Sequence, residues 1–385
     1  MVGKAAYLER LYKNVRLWRS VRTGEKVEGS TPPSVFIGRV GYPKVAIGPL
    51  VPPVAGDTRE MDFPEGWLPA GREAMDIAEF RLQLVRGKKV VDVRDQSRVT
   101  EQVREVALAE KPSEVEASLA RAPTGGFFHE EVQPFGPSAP LKDFTANVAR
   151  WDPQLERAYG DTDLLAKSAI IELYERDSPV SSIQRALSVG AFGLGRNRKL
   201  VPTRWSITAV DDTLGLHLLE DVRTFPALEE YRVYEYEALN NRFLVLFYPG
   251  LWRYESIEAF FPQIVGDRLE IFGDSEEFEG RRAYSGMGGC YYSARLASAE
   301  RLHAEQRQAG VLILREVYDG YIPLGVWNVR ECMRQALERP PLVFEDWPSA
   351  LRHALSRLRL PLDTWLRHSK HLRERATQTS LKAYL

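Results

Sequence analysis

Apolar residues in this chain recur at two different periods, and the two periods alternate without a regular beat. Helical spacing marks residues 72–86, 97–121 with a break near Pro112, 162–175, 179–188, Ala294–Gln306 and 346–358. Short β-rich runs mark Val35–Ile37 and Val45–Ile47, a hairpin around Gly41-Tyr42-Pro43. Others are Trp205–Val210, Arg232–Ala238, Phe243–Tyr248, Val311–Val317 and Gly325–Val329. Residues 22–33, 49–69 and 122–140 hold much of the Pro and Gly and read as loops. A doubly wound fold needs strand and helix in turn, and that rhythm is missing. The expected class is α+β, with mixed helices and mainly antiparallel strands and without Rossmann-type alternation. Ser178 before Pro179 reads as an N-cap and first-turn pair.

The 385 residues are 44% hydrophobic, enough to bury a large core and to favour two domains over one. An acidic, glycine-bearing stretch at 266–280 is the expected boundary. It separates residues 1–265 from 266–345, followed by a basic helical segment at 346–377 and a terminal peptide at 378–385. Leu8, Leu11, Val15 and Trp18 place an amphipathic helix within residues 1–20. Basic residues (52) and acidic residues (53) cancel, so any positive surface must come from local clustering. Two cysteines, Cys290 and Cys332, are too few for a disulfide framework or a four-cysteine zinc site. The charged first twenty residues lack a secretory core, and no run of 18 apolar residues exists, so a cytoplasmic protein without a membrane partner is expected.

Two clusters carry candidate chemistry. Gly190-Ala191-Phe192-Gly193-Leu194-Gly195 runs into Arg196, Arg198, Lys199, Arg204 and Trp205. Glycines let backbone amides approach a phosphate, cations neutralise it, and Trp205 offers a face for a base. With Arg39, these residues form the expected nucleic-acid contact. The loop is neither a Walker loop nor a dinucleotide fingerprint, and its alternative reading is a structural turn with exposed charges. Asp211 and Asp212 at the end of the expected strand, with Glu235 and Glu237 two apart on another, have the residue types of a two-metal phosphoester hydrolase using Mg or Mn. Capping aspartates and an exposed strand face are the alternative for these four. No metal ligand set is established by the sequence, and zinc is not expected.

The last eight residues read Gln378-Thr379-Ser380-Leu381-Lys382-Ala383-Tyr384-Leu385. In a 3₁₀ turn, positions three apart eclipse, so Leu381 and Tyr384 project together with Leu385 beside them, while Gln378 supplies an amide. The pattern resembles the PCNA-interacting peptide with which DNA-processing proteins ride the sliding clamp. Leu385 stands where an aromatic is usual. From 351 to 385, eight residues are Lys or Arg and only Asp363 and Glu374 are acidic, an excess drawn to DNA phosphates or an acidic clamp surface.

Several stretches resemble the Nre family of archaeal DNA-repair proteins. They are Pro33–Arg39 with Gly41-Tyr42-Pro43, the run Arg198–Thr208, Gly288–Tyr292 and Gly325-Val326-Trp327. The resemblance spans nearly the whole chain. It implies a role in the DNA-damage response, docking on the archaeal sliding clamp and a long N-terminal region followed by a shorter C-terminal one. It implies no particular catalytic activity. The cysteine-rich, zinc-type start of some members is absent here, since no cysteine precedes Cys290. The leading expectation is a clamp-tethered DNA-repair factor. A metal-dependent nuclease and a non-enzymatic repair adaptor are the alternatives.

Overall fold

The computed structural model describes residues 21–382 apart from 22, 126, 130, 131, 263, 265 and 266. Side chains are described as far as residue 376, other than those of 127–129, 132 and 133. The amphipathic helix expected at 1–20 lies outside the described residues. The chain forms two compact units. The described residues up to Leu214, with Pro323–Gly325, make the first; Gly215–Ile322 and the residues from Val326 onward make the second. The change of unit falls at Leu214, and Glu270–Glu276 within the acidic stretch forms a strand of the second unit.

In the first unit the elements are β1 (Lys26–Thr31), β2 (Val35–Ile37), β3 (Lys44–Val51), α1 (Pro64–Trp67), α2 (Ala74–Gln83), β4 (Val85–Asp92), α3 (Arg98–Leu108) and β5 (Ser113–Leu119). Then come β6 (Phe127–His129), β7 (Val132–Phe135), β8 (Ser138–Asn147), α4 (Pro153–Gly160), α5 (Ala166–Glu175), α6 (Val180–Ser188) and the start of α7 (Thr203–Val222). Six strands form one sheet in the order β1-β5-β8-β4-β3-β2. Only β4 and β8 pair in parallel, so the sheet is mainly antiparallel as expected. The expected hairpin is present, with Val35 opposite Pro49 and Ile37 opposite Ile47. Val99, Val103 and Val106 repeat at helical spacing, and this buried stripe of α3 packs on β3 and α6.

The second unit holds β9 (Tyr231–Ala238), β10 (Asn241–Tyr248), β11 (Arg253–Phe260), β12 (Glu270–Glu276), α8 (Gly289–Glu305), β13 (Gly310–Val317) and α9 (Trp327–Glu338). It ends with β14 (Leu342–Phe344), α10 (Trp347–Ser356), α11 (Leu362–His368) and α12 (Lys370–Lys382). Its sheet runs β12-β11-β13-β10-β9-β14, with β11 and β13 the single parallel pair. Leu244, Leu246, Ile257, Leu312 and Leu314 line one face of this sheet, and Trp347, Trp365 and Leu372 from the C-terminal helices close over them. Burying each such side chain contributes about 1.5–3 kcal/mol.

Several sequence expectations change. Trp205–Val210 is the start of α7 and not a strand. Ile207, Thr208 and Val210 are β-branched, which favours a strand locally. Burial at Ser206, Val210, Leu214, Leu218 and Val222 follows the helical period, and that longer pattern decides. Gly325–Val329 likewise runs into α9. The helical stretch expected at 97–121 ends at Leu108, and Ser113–Leu119 alternates buried and exposed residues as β5. The loops expected at 22–33 and 122–140 contain β1, the β6–β7 pair and the start of β8. Ser178 does not cap α6: its hydroxyl donates to Gln154 Oε1, and Pro179 occupies the cap position.

Two buried carboxylates of the second sheet hold the C-terminal helices by their backbone. Glu316 on β13 accepts from the amides of Arg359 and Leu360 at 2.8–3.1 Å. Glu255 on β11 accepts from Ser369 Oγ (2.5 Å) and from the amides of Lys370 (2.6 Å) and His371 (3.0 Å), the free N–H groups at the start of α12. Beside it, the fully buried His371 meets the Tyr248 hydroxyl at 2.8 Å. Burial, with Arg253, Lys370 and Arg375 nearby, pushes the imidazole down to about 3.

A group with a depressed folded pKa stabilises above its unfolded value, and that stability drains away as pH falls towards the folded one. His371 should therefore cost the second unit about 2 kcal/mol between pH 7.5 and pH 5, roughly 1.4 kcal/mol per unit once below 6.5. Glu255 acts in the opposite sense, because burial raises its pKa and protonation relieves that cost. Denaturant titrations of the parent and His371→Asn proteins at these two pH values check this. The variant should show a much flatter dependence, and equal slopes would count against it.

Candidate nucleic-acid interface

The glycine-rich loop after α6 is folded by its own arginine. Gly190 has φ +71, and a Cβ there would lie 2.6 Å from the Lys199 carbonyl oxygen, so only glycine fits. Arg198 donates to the carbonyls of Gly193 (2.8 Å), Tyr159 (2.6 Å) and Asp161 (2.6 Å), and its guanidinium lies over the Tyr159 ring. Arg198 is thus a staple of the loop, and its fork is used by backbone oxygens. Arg196 is exposed on the 3₁₀ turn Gly195–Asn197.

The next residues meet the β2–β3 turn. Thr203 Oγ1 accepts from the Ile37 amide at 3.0 Å. Val93, just past β4, donates its amide to the Pro43 carbonyl and accepts at its own carbonyl from Leu200. These bonds stitch the turn Arg39–Lys44, the end of β4 and the start of α7 together. At the seam, the rings of Tyr42 and Trp205 sit 5.1 Å apart and tilted by 52°. Trp205 is 45% exposed and Tyr42 is 41% exposed, unusual for rings of that size on a folded surface. Lys199 Nζ reaches Tyr42 Oη at 3.2 Å. Arg39, Lys44 and Arg94 are exposed on the same stitched segments, and Arg204 is half-buried one position before Trp205. The result is an aromatic platform edged by cations, with the chemistry to stack a base and neutralise its phosphate.

Sequence reasoning groups Arg39, Lys199, Arg204 and Trp205 in one expected contact, and the structure brings Arg39, Lys199 and Trp205 to one surface. It missed Tyr42. The signal was available in the Gly-Tyr-Pro turn, where an aromatic at a hairpin tip has no core to face.

The four carboxylates expected to form a metal site are divided between the two units. Asp211 is fully buried within α7 and accepts from Gln184 Nε2 at 2.8 Å. Asp212 follows it on the helix, about 100° around the axis at 3.6 residues per turn. Both belong to the first unit, whereas Glu235 and Glu237 belong to the second. The latter two share a face of β9 as their spacing requires, but cations pair them there. Arg357 donates to Glu235 at 2.8 Å and Arg242 to Glu237 at 2.9 Å. Among the described residues, no group of three His, Cys, Asp or Glu side chains is placed to hold a metal ion. Burial pushes the thiols of Cys290 and Cys332 up to about 12, which keeps both as neutral thiols near pH 7.

The C-terminal peptide is described only in part. The backbone of α12 continues as α-helix through Gln378 and Leu381 to Lys382, without the 3₁₀ turn expected there. The side chains of Gln378 and Leu381, and Tyr384 and Leu385 entirely, lie outside the described residues. No described helix is long and apolar enough to cross a membrane.

Fold and surface define a two-unit α+β protein that presents an aromatic platform ringed by cations. The chain belongs to the archaeal Nre family: residues 4–265 match the family's N-terminal region and residues 276–384 its C-terminal region. It is 42% identical over 363 residues to DNA repair protein NreB of Archaeoglobus fulgidus, covering 93% of this chain and 91% of that protein. It is 33% identical over 352 residues to DNA repair protein NreA of the same organism (90% and 89% covered). With DNA repair protein NreA of Haloferax volcanii the identity is 35% over 346 residues (86% and 82% covered). No solved structure matches this fold.

Proposed function

We propose that this Nre-family protein is a DNA-repair factor. Its first unit touches DNA through the Tyr42–Trp205 platform, and its C-terminal peptide holds it on the sliding clamp. The observation that carries the DNA contact is the exposed aromatic pair, 5.1 Å apart, with Lys199 bonded to its edge. Two large rings left on the surface by the fold, beside cations, suit unpaired bases better than a protein core. The names of the relatives support the repair role. The peptide Gln378–Leu385 supplies the clamp anchor. Tethering raises the local concentration of a weakly binding body at the clamp, a gain of roughly a hundredfold or more in apparent affinity when the geometry permits both contacts.

Fluorescence anisotropy of labelled single-stranded and duplex oligonucleotides tests the DNA contact. Trp205→Ala with Tyr42→Ala should weaken single-strand binding by about 1–3 kcal/mol per stacked base lost. Lys199→Ala should flatten the salt dependence by about one phosphate contact. Unchanged affinity in the double aromatic variant would remove the platform from the DNA-binding surface.

A further inference from the structure

A second cationic feature of the first unit lies on strand β4 of its sheet. Arg86 and Lys88 are two apart on β4, so their side chains share one face. The Arg86 guanidinium is sandwiched between two rings, 4.4 Å from the centre of Phe36 and 3.9 Å from that of Phe135. Its Nε is buried without a hydrogen-bond partner. Among the described residues, neither Arg86 nor Lys88 has a carboxylate within ion-pair reach. Ser138, the register partner of Arg86 on β8, adds a half-buried hydroxyl to the same face.

We propose that Arg86, Lys88 and Ser138 form a phosphate-binding station on this sheet face, independent of the Tyr42–Trp205 platform. The two rings fix the plane of the guanidinium, and a fixed fork loses little freedom when it grips two phosphate oxygens. Lys88 brings a second charge, and the Ser138 hydroxyl can donate a third hydrogen bond. Burial lowers the pKa of Arg86, and burial with Arg86 nearby lowers that of Lys88, so each charge stands at a cost that a bound anion relieves. The phosphate can come from a nucleic-acid backbone or from a small phosphorylated molecule, and the two sources are separable.

The experiment measures the melting temperature of the full chain with inorganic phosphate, and again with a short single-stranded oligonucleotide, against chloride at matched ionic strength. The parent protein should be stabilised by at least one of the two probes. Lys88→Gln, a half-buried position that spares the core, should need on the order of tenfold more of that probe for the same shift, and Arg86→Gln at least as much. Arg86→Lys keeps charge but loses the fork and should fall between parent and Arg86→Gln. Protection by both probes, or by inorganic phosphate alone, assigns the station to a small phosphate. Protection by the oligonucleotide alone, retained by the Trp205→Ala/Tyr42→Ala protein, assigns it to a strand backbone. Equal shifts in parent and Lys88→Gln, no shift with either probe, or oligonucleotide protection that vanishes in the aromatic variant would overturn the proposal. The phosphate arm is read without reference to the platform, so failure of either site is recognised separately.

Discussion

Leu381→Ala combined with Tyr384→Ala is expected to weaken binding to a purified archaeal sliding clamp by roughly a thousandfold. Anchor side chains that fill a pocket each carry on the order of 2 kcal/mol, and about 4 kcal/mol corresponds to that ratio. The fold should be untouched. The base of α12 is fixed before residue 376, by Glu255 on its first amides, by the buried Leu372 and by Arg375 stacked 3.8 Å over Tyr248. The motif begins only at Gln378, one to two turns beyond those contacts. Because the backbone is helical to Lys382, docking in a 3₁₀ turn would require the last helical turn to rewind on the clamp. Calorimetric titration of parent and variant against the clamp, with melting curves of both, decides the matter. A variant that binds as the parent does, or that melts markedly lower, would refute the assignment.

The largest expected loss of stability comes from Arg315→Ala in the second unit. Arg315 is 1% exposed. It donates to Glu258 at 2.6 Å and to Asn241 Oδ1 at 2.5 and 2.9 Å, and it lies among Phe243, Phe260 and Tyr321. Removing it leaves the Glu258 carboxylate buried, charged and without its partner, which costs about 3–5 kcal/mol. Arg315→Met with Glu258→Met should recover most of that loss, since two thioethers of similar length fill the space and no charge stays stranded. Urea denaturation of the three proteins tests the pair. An Arg315→Ala protein within about 1 kcal/mol of the parent would mean that water reaches Glu258 freely.

The same position shows how a sequence neighbour misleads. Arg315 and Glu316 are adjacent in the chain and of opposite charge, yet strand geometry sends them to opposite faces of β13. Arg315 pairs with Glu258 on the neighbouring strand, and Glu316 turns to the amides of Arg359 and Leu360. Arg330 and Glu331, on a helix, do pair with each other at 2.9 Å.

What the sequence determined by itself was what short-range physics controls. The α+β class follows from two hydrophobic periods without regular alternation. The hairpin of β2 and β3, the strands β9, β10 and β13 and the helices α5, α6, α8 and α10 all announce themselves through side-chain periodicity within a dozen residues. Family membership was legible in the Arg198–Thr208 run. Tertiary structure alone decided the rest, because those outcomes depend on residues far apart in the chain. Trp205–Val210 became helix because buried positions out to Val222 outweigh three β-branched residues. Arg198 became a staple once the carbonyls of Tyr159 and Asp161 came within its reach. Tyr42 acquired a role only when the fold set it against Trp205, 163 positions later in the chain. Charge pairing is decided in the same way: a side chain's partner is whichever group the fold brings within a few ångströms, and one-dimensional order does not encode that distance.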